Sequence, residues 1–359
     1  MRLRIGVVGG GLVAQAEHLP YLSQFRDRFE LLALVEPSET VREALAARYG
    51  IAATYADYRA LLDTGAIDAV VICSPAGTHA EVALAALEAG LHVFVEKPMC
   101  ITLADADAIV AARDRSGKVV QVGYMKRFDP AYVRLLDDLP SSAAGLRYVS
   151  VVVNDPEFRP FFTQGEIVRG EVPREVIEAT RRAESEQVEA AVGNGSPEVV
   201  TAFSEAFLGS LVHDVNLVHG VLERLGEPLP AEVVAGAWWA GGTAVSGSVR
   251  LASGARWDSS WIQLLDVWQY REVVAFMFED SVQRLTFPSP WLKQSPTRYE
   301  RTTTDEGRAV AVAERYEESF ARELLHFHAC VTEGIECRTP PEQARLDIEV
   351  LTRMFLAAS

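Results

Sequence analysis

The stretch RIGVVGGGLVA at residues 4–14 decides the fold, because it joins a strand pattern to a helix pattern through consecutive glycines. Arg4–Val8 is a short apolar run of the kind that forms a buried strand. The residues that follow have the spacing G-x-G-x-x-A. Here Gly9 permits a tight turn, Gly11 lets backbone approach a pyrophosphate, and Ala14 lets the helix pack closely on the strand. The stretch therefore predicts a turn that binds the phosphates of a dinucleotide.

Strand and helix patterns alternate through the first 123 residues. Further strands are predicted at 30–35, 68–74, 92–95 and 119–122, and helices at 13–25, 38–49, 57–62, 78–89 and 103–115. Such alternation predicts an α/β domain with a doubly wound parallel sheet, the Rossmann arrangement, which we assign to residues 1–123. Leu12 and Val13, at the start of the first helix, complete the predicted phosphate-binding turn.

Glu36 ends the second predicted strand and is the candidate ligand of the adenosine ribose. A carboxylate at this place accepts hydrogen bonds from the ribose diol and repels a 2′-phosphate, which favours NAD over NADP as the cofactor. Ser38, Thr40 and Arg42 keep NADP open as an alternative, because hydroxyl groups and a guanidinium can hold a phosphate.

The bulk composition excludes several classes of protein. At 359 residues the chain is long enough for two domains, and 49% hydrophobic with 23% charged residues is ordinary for a globular protein. The formal net charge of −16 repels polyphosphates and no dense basic patch offsets it, so nucleic acid is not an expected partner. No apolar stretch is long enough to span a membrane, and the first residues carry no signal-peptide pattern.

Cysteine and histidine spacing bears on redox state and metal binding. The cysteines are scattered without a CxxC pair, at Cys73, Cys100, Cys330 and Cys337. This spacing predicts reduced thiols rather than a disulfide framework or a zinc site. His326 and His328, two residues apart on a predicted helix, face different sides and are poorly placed for chelation. We therefore expect a cytoplasmic protein without a bound metal.

Three further segments narrow the class of protein. SPAGTH at residues 74–79 ends one predicted strand, EKP at 96–98 ends the next, and GYMKRFDP at 123–130 follows the last. Together with the glycine turn, these segments resemble the Gfo/Idh/MocA oxidoreductase family, which includes glucose–fructose oxidoreductase and inositol dehydrogenases. The resemblance is strong over residues 1–130 and looser beyond them.

The resemblance implies an NAD(P)-dependent oxidoreductase whose substrate is a sugar, polyol or cyclitol. It implies further cofactor contacts from Ser74, Pro75, His79, Glu96, Lys97, Met125 and Arg127. Lys97 is the implied proton acceptor or donor, because a hydride leaves a carbinol carbon only if the hydroxyl group loses its proton in the same reaction step. The resemblance also implies a cis Lys97–Pro98 bond.

LVHDVN at residues 211–216 resembles the family's catalytic-histidine segment. It implies that His213 assists Lys97 in acid–base catalysis, since an imidazole can relay a proton or orient a hydroxyl. It also implies that Asp214 and Asn216, with the two catalytic side chains, contact the substrate.

Two positions depart from the family pattern. Inositol-dehydrogenase-like members carry an aspartate where this chain has Gly209, and the usual asparagine is Met125. Three explanations of these departures stay open. Lys97 and His213 suffice for catalysis without the aspartate, the substrate itself supplies the missing polar groups, or the reaction is not a simple alcohol oxidation.

Beyond about residue 146 the pattern becomes one of antiparallel strands, predicted at 146–153, 232–240, 246–252, 256–264 and 273–278. The resemblance places here an open, largely antiparallel sheet, in an α+β domain at 124–359 that binds substrate and assembles a homodimer or homotetramer. Residues 155–208 resemble a helical insertion. An outer helical excursion is the favoured interpretation, and a lid over the site or an arm to a neighbouring subunit is the alternative.

The expected reaction is reversible hydride transfer between a nicotinamide and a secondary alcohol or ketone. Two other functions remain open. Redox-neutral glycoside cleavage with bound NAD predicts glycoside breakdown without net NADH. A non-catalytic, dinucleotide-binding regulator predicts that Lys97→Ala changes neither binding nor any measured activity.

Overall fold

A computed structural model describes residues 1–156, 167–303, 307–312 and 317–358, the backbone alone at 307–312. These residues form two compact units. The first unit contains 1–123, 167–191 and 320–345, and the second contains 124–156, 192–303, 307–312, 317–319 and 346–358. Each unit is built around one sheet.

Within the described residues, the sheet of the first unit has six parallel strands in the order β3-β2-β1-β4-β5-β6. The strands are β1 (Leu3–Val8), β2 (Phe29–Val35), β3 (Ala53–Tyr55), β4 (Ala69–Ile72), β5 (His92–Glu96) and β6 (Val120–Gly123). The strand order reverses between β1 and β4. Doubly wound sheets bind ligands outside the carboxyl ends of the strands at such a point, so this edge is where a site is expected.

The described helices are α1 (Leu19–Gln24), α2 (Glu39–Tyr49), α3 (Tyr58–Leu62), α4 (His79–Glu88), α5 (Leu103–Ser116), α6 (Pro130–Asp137), α7 (Arg174–Val192), α8 (Pro197–Val200), α9 (Val212–Arg224), α10 (Ser319–Glu333) and α11 (Pro341–Leu356). Two stretches of wider π-helix, Ala14–His18 and Thr201–Leu211, continue into α1 and α9. Helix α10 packs on the parallel sheet, since Leu324 and Phe327 share a core with Phe94. This packing explains why residues 320–345 belong to the first unit.

The sheet of the second unit has the described strand order β14-β13-β12-β11-β7-β10-β9-β8. Its strands are β7 (Leu146–Pro156), β8 (Glu232–Trp239), β9 (Ala244–Arg250), β10 (Arg256–Leu264), β11 (Arg271–Phe278), β12 (Ser281–Phe287), β13 (Arg298–Thr303) and β14 (Gly307–Val312). Strand β7 pairs parallel with β10 and antiparallel with β11, and the other neighbours are antiparallel. The predicted fold class, a Rossmann sheet followed by an open and largely antiparallel sheet, is confirmed.

Sequence patterns missed four strands. β3 has only three residues, too few to show a period. β12 and β13 show no clear apolar alternation because polar residues, Gln283 and Glu300, occupy buried positions in them. The sequence patterns also missed β14. The residues that the sequence assigned to an insertion also divide differently, since 167–191 group with the first unit and 192–208 with the second.

Among the described residues, no helix combines the length and the apolar character needed to cross a bilayer.

Candidate active site

The glycine turn lies between β1 and the first helix, at the carboxyl edge of the parallel sheet. Gly9 has a φ of +99°, and a Cβ there would lie 2.6 Å from the carbonyl carbon of Cys73 and the nitrogen of Ser74. Only glycine fits this turn. Gly11 is exposed, and a Cβ on it would meet no atom of the described residues within 4 Å. The protein itself therefore does not demand glycine at 11, and the open space beside it suits a bound phosphate group.

The first helix begins directly after this turn. Leu12 and Val13 are partly exposed at its start, and Ala14 is fully buried against the sheet. Backbone N–H groups at such a helix start lack intrahelical partners and attract anions. These three positions therefore have the surroundings that the glycine spacing predicts.

Glu36 follows β2 and is buried, with only 8% of its surface exposed. Its Oε2 accepts a hydrogen bond of 2.8 Å from the Gly10 N–H, and its Oε1 accepts one of 2.9 Å from the Ser38 N–H. Each oxygen keeps a lone pair for a further donor. The carboxylate is thus fixed beside the glycine turn by two backbone N–H groups.

The turn after β4 is tied to the turn after β5 by His79, which is 1% exposed. Its ring nitrogens lie 2.7 Å from the carbonyl oxygen of Ser74 and 2.8 Å from that of Pro98. Burial lowers the pKa of His79, although both carbonyl contacts act to raise it. Pro75 is exposed, whereas the Ser74 hydroxyl is bonded to Thr78 at 2.7 Å. Of these residues, His79 has no exposed face and acts by joining the two turns.

Lys97 follows β5 at the same carboxyl edge and is partly exposed. The Lys97–Pro98 bond is cis, as the resemblance implies. Glu96 is buried, and its Oε2 accepts the Lys97 N–H at 3.1 Å while its Oε1 lies 2.6 Å from His18 Nε2. Burial opposes ionisation, but the hydrogen bond and charge of His18 hold the pKa of Glu96 below its usual range. Glu96 thus anchors the backbone that carries Lys97.

Glu323 on α10 completes a buried cluster that the sequence did not predict. Its side chain lies with those of His18 and Glu96, and their nearest ligand atoms are all within 4.8 Å of one another. Neither Glu323 carboxylate oxygen has a hydrogen-bond partner among the described residues. Burial, reinforced by the negative charges of Glu96 and Glu17, raises the pKa of Glu323 well above its usual range. The neutral form of Glu323 is therefore favoured in the core beneath β5.

A second cluster, also missed from the sequence, joins His326 and Cys330 of α10 to Cys337. His326 Nε2 accepts the Arg338 N–H at 3.0 Å, so this ring nitrogen is already in use. The Cys337 thiol and the His326 ring lower the pKa of Cys330 to about 5. The described cysteines are all free thiols, as the scattered spacing predicts.

In the second unit, Asp214 lies in a buried ion cluster with Lys126 and Glu272. Lys126 Nζ is 3.0 Å from Asp214 Oδ1 and also contacts a Glu272 carboxylate oxygen. Burial and the nearby Glu272 carboxylate raise the pKa of Asp214 well above its usual range. Burial acts to lower the pKa of Lys126, but the two carboxylates together raise it. The Asp214 carboxylate is only 2% exposed, so its polar surface is used inside the protein.

Arg127 and Asn216 form another buried network. Arg127 donates to the Asn216 carbonyl oxygen at 3.1 Å and to its side-chain oxygen at 3.3 Å. Asn216 in turn donates to Asp347 at 2.8 Å, and Asp347 lies 2.6 Å from His219 Nδ1. Gly220 makes room for the guanidinium, since a Cβ there would overlap it. These contacts hold α9 to its neighbours and occupy the side chains expected to bind cofactor and substrate.

His213 is the second residue of α9 and is partly exposed, with its ring edge-on to Tyr124 at a centroid distance of 6.4 Å. Met125, beside Tyr124, is buried. Gly209 lies in the π-helix before α9, where a Cβ would be 3.0 Å from the Ser204 carbonyl oxygen. Lys97 belongs to the first unit and His213 to the second, so their catalytic pairing stays a prediction.

The glycine turn, the buried acid after β2 and the parallel sheet define a nicotinamide-dinucleotide-binding oxidoreductase domain. Residues 3–124 match the family model GFO_IDH_MocA, described as an oxidoreductase family with an NAD-binding Rossmann fold. The likeness to the Gfo/Idh/MocA oxidoreductase family is therefore established for residues 3–124, the part of the chain that contains the parallel sheet.

Two curated relatives show how far the sequence likeness extends. An inositol 2-dehydrogenase from Salmonella typhimurium is 35% identical over 147 residues, which are 40% of this chain and 44% of that protein. A myo-inositol 2-dehydrogenase from Thermotoga maritima is 25% identical over 241 residues, 62% of this chain and 72% of that protein. The chain thus matches less than half the length of the Salmonella relative.

Solved structures resemble the whole fold. A 3-ketoreductase from Actinomadura kijaniata, in complex with NADP and TDP-benzene, has a TM-score of 0.74 at 17% identity and covers 99% of this chain and 98% of its own. A UDP-N-acetylglucosamine 3-dehydrogenase from Acidithiobacillus ferrooxidans has a TM-score of 0.73 at 19% identity, covering 100% and 98%. At these identities the likeness establishes the fold.

Proposed function

We propose that the protein is a dehydrogenase or reductase that transfers a hydride between NAD(H) and a secondary alcohol or ketone of a sugar, polyol or cyclitol. The observation that carries this proposal is the position of Lys97. It follows β5 at the carboxyl edge of the same sheet whose β1 ends in the glycine turn. The relatives that act on inositols and nucleotide sugars support the substrate class.

The residues of the first unit fit a dinucleotide. Gly9 and Gly11 shape the turn, the helix start offers N–H groups to the pyrophosphate, and Glu36, bonded to the turn at Gly10, is the proposed ribose ligand. When bound, the dinucleotide supplies a hydride acceptor or donor at its nicotinamide ring.

NAD is the proposed form of the cofactor. Arg42 donates to the Glu36 carbonyl oxygen at 2.6 Å, so its guanidinium is engaged with backbone. Ser38 is buried. Two of the three side chains that kept NADP open, Ser38 and Arg42, thus offer little to a 2′-phosphate, while the Glu36 carboxylate repels one.

Lys97 is the proposed acid–base residue. Its amine takes the proton of the substrate hydroxyl as the carbon loses its hydride, and returns the proton in the opposite direction. Glu96 and His79 hold the backbone on either side of it. His213 is proposed to assist by orienting the substrate oxygen. Asp214 and Asn216 are proposed to act mainly through α9, because buried partners occupy their polar groups.

We further propose that the protein is a homodimer or homotetramer in the cytoplasm. Large apolar side chains are exposed on or near β8 and after β10, among them Trp239 at 45% and Trp268 at 71%. Exposed apolar patches commonly mark protein–protein contacts. Free thiols support a reducing compartment.

NADH formation at 340 nm across a panel of sugars, inositols and glycosides tests the proposal, with NAD and NADP compared in parallel. Lys97→Met should lower the rate by about 10²- to 10⁴-fold, because a positioned acid–base group contributes this much. Binding of NADH, followed by its fluorescence, should persist in the variant.

Lys118→Met is the matched control. Lys118 precedes β6 and therefore lies at the amino ends of the strands, so its loss should leave turnover unchanged. NADH binding without formation of NADH from any panel member would contradict the proposal. Glycoside breakdown without NADH would then indicate redox-neutral cleavage.

A further inference from the structure

Residues 167–191, called the strap here, belong to the first unit and consist of a short segment followed by most of α7. The sequence places them in an insertion after β7, far along the chain from the glycine turn. The strap nevertheless contacts the rest of the first unit at the turns that follow β1, β2 and β4. All of these turns lie at the carboxyl edge of the parallel sheet.

The first contact is with Gln15, which is buried in the helix after the glycine turn. Its Nε2 donates to the Gly10 carbonyl oxygen at 2.7 Å and to the Val168 carbonyl oxygen at 3.0 Å. Its Oε1 accepts the Val168 N–H at 2.8 Å. The Val168 side chain packs against the core of the first unit. One amide therefore joins the strap directly to the phosphate-binding turn.

The second contact covers the loop after β2. A Cβ on Gly170 would overlap Ser38 Oγ and lie 3.1 Å from the side chains of Thr40 and Val41. Ser38 is only 1% exposed, and its Oγ has no hydrogen-bond partner among the described residues. The Ser38 N–H holds the Glu36 carboxylate. The strap thus passes over the loop that orients the proposed ribose ligand.

The third contact is with the turn after β4. Gln187 Nε2 on α7 donates to the Gly77 carbonyl oxygen at 2.7 Å. A Cβ on Gly77 would be 3.3 Å from the Cα of Glu184, so α7 packs closely on this turn. The strap is therefore fixed at both ends.

Turns after β1, β2 and β4 border the half of a doubly wound site that takes the pyrophosphate and adenosine. We propose that the strap closes over the adenosine end of bound NAD(H), which enters and leaves only when the strap detaches from the turns after β2 and β4. This rests on the dinucleotide part of the proposed function and not on the substrate. Such a strap slows association and dissociation together.

The test uses NADH alone, with rates measured by stopped-flow fluorescence and dissociation followed by displacement with excess NAD. Gln187→Leu removes the bond to Gly77, and Gly170→Val pushes the strap away from Ser38. Both changes lie on the strap and leave the glycine turn intact. Gln187→Leu should raise both rate constants by about fivefold, the factor expected for one net hydrogen bond. Gly170→Val should also raise both rate constants, because its side chain overlaps Ser38 when the strap is in place. Arg174→Ala is the control, because Arg174 on the same helix is exposed and bonds only to Glu178 among the described residues.

An increase of both rate constants in both variants, with Arg174→Ala unchanged, supports the strap. A higher dissociation rate with an unchanged or slower association rate indicates a damaged site and overturns it, as do unchanged rates. These results do not depend on turnover. NADH binding that obeys the strap prediction without oxidation of any polyol contradicts the proposed reaction alone, whereas no NADH binding overturns both.

Discussion

The predicted residues of the first unit and those of the second unit differ in how the protein already uses their polar groups. At the carboxyl edge of the parallel sheet, Gly11 adjoins open space and Lys97 is partly exposed. In the second unit, Asp214 and Asn216 are buried and bonded to neighbouring side chains. The same kind of motif resemblance thus includes partly exposed positions, Gly11 and Lys97, in one region, and leads to the buried, bonded Asp214 and Asn216 in the other.

The largest expected effect contrasts two lysines, one from each unit. Lys126→Met leaves Asp214 and Glu272 as buried carboxylates without their cation, which should cost about 3–5 kcal/mol of stability. Lys97→Met should change stability by less than about 1 kcal/mol, because its side chain is partly exposed. Chemical denaturation measures both.

Arg134→Ala serves as the control, since it breaks only an exposed pair with Asp138, worth at most about 1 kcal/mol. Equal stability losses in the two lysine variants would erase the distinction between a scaffold lysine and a site lysine.

The success of the sequence prediction depended on how local each signal was. The glycine turn occupies one continuous stretch, and its strand and helix context is visible beside it. The clusters of Lys126, Asp214 and Glu272, or of Glu96 and Glu323, join segments that are far apart in the chain. Single residues of these clusters show no periodicity of their own, so only the tertiary structure brings them together.

The helices and strands were likewise predictable where their sequence signal is local. Apart from the three-residue β3, the strands of the parallel sheet read as apolar runs, and their predicted bounds lie within two residues of the observed ones. In the other sheet, the alternating strand Arg256–Leu264 was predicted to the residue. The role of 167–191 was not predictable, because an amphipathic helix shows which face is buried but not which surface it covers.

The next effect separates two glycines within one turn. Gly9→Ala adds a Cβ 2.6 Å from backbone atoms at a residue with a positive φ. It should lower the free energy of unfolding by about 1–3 kcal/mol and should also weaken NADH binding. Gly11→Ala meets no described atom within 4 Å, so thermal unfolding should be unchanged within about 0.5 kcal/mol. Its NADH affinity should nevertheless fall by about tenfold or more, because backbone must approach the pyrophosphate there. Full NADH affinity in Gly11→Ala would place the phosphates elsewhere.

The last contrast concerns the buried carboxyl group of Glu323 under β5. Burial and the charges of Glu96 and Glu17 raise its pKa in the folded protein, so the native state binds this proton up to a higher pH than the unfolded chain does. The contribution of Glu323 to the free energy of unfolding is therefore largest below the ordinary glutamate pKa. It declines as the pH rises from that value to the pKa in the folded protein, by at most about 1.4 kcal/mol per pH unit. Glu323→Gln keeps the shape without the titration, so its stability should gain on wild type between pH 5 and 8 in urea unfolding series. Glu333→Gln, on the exposed side of the same helix, should track wild type throughout. A pH-independent difference between Glu323→Gln and wild type would mean that Glu323 is ionised in the fold, and that the cluster with His18 and Glu96 holds its charges by other means.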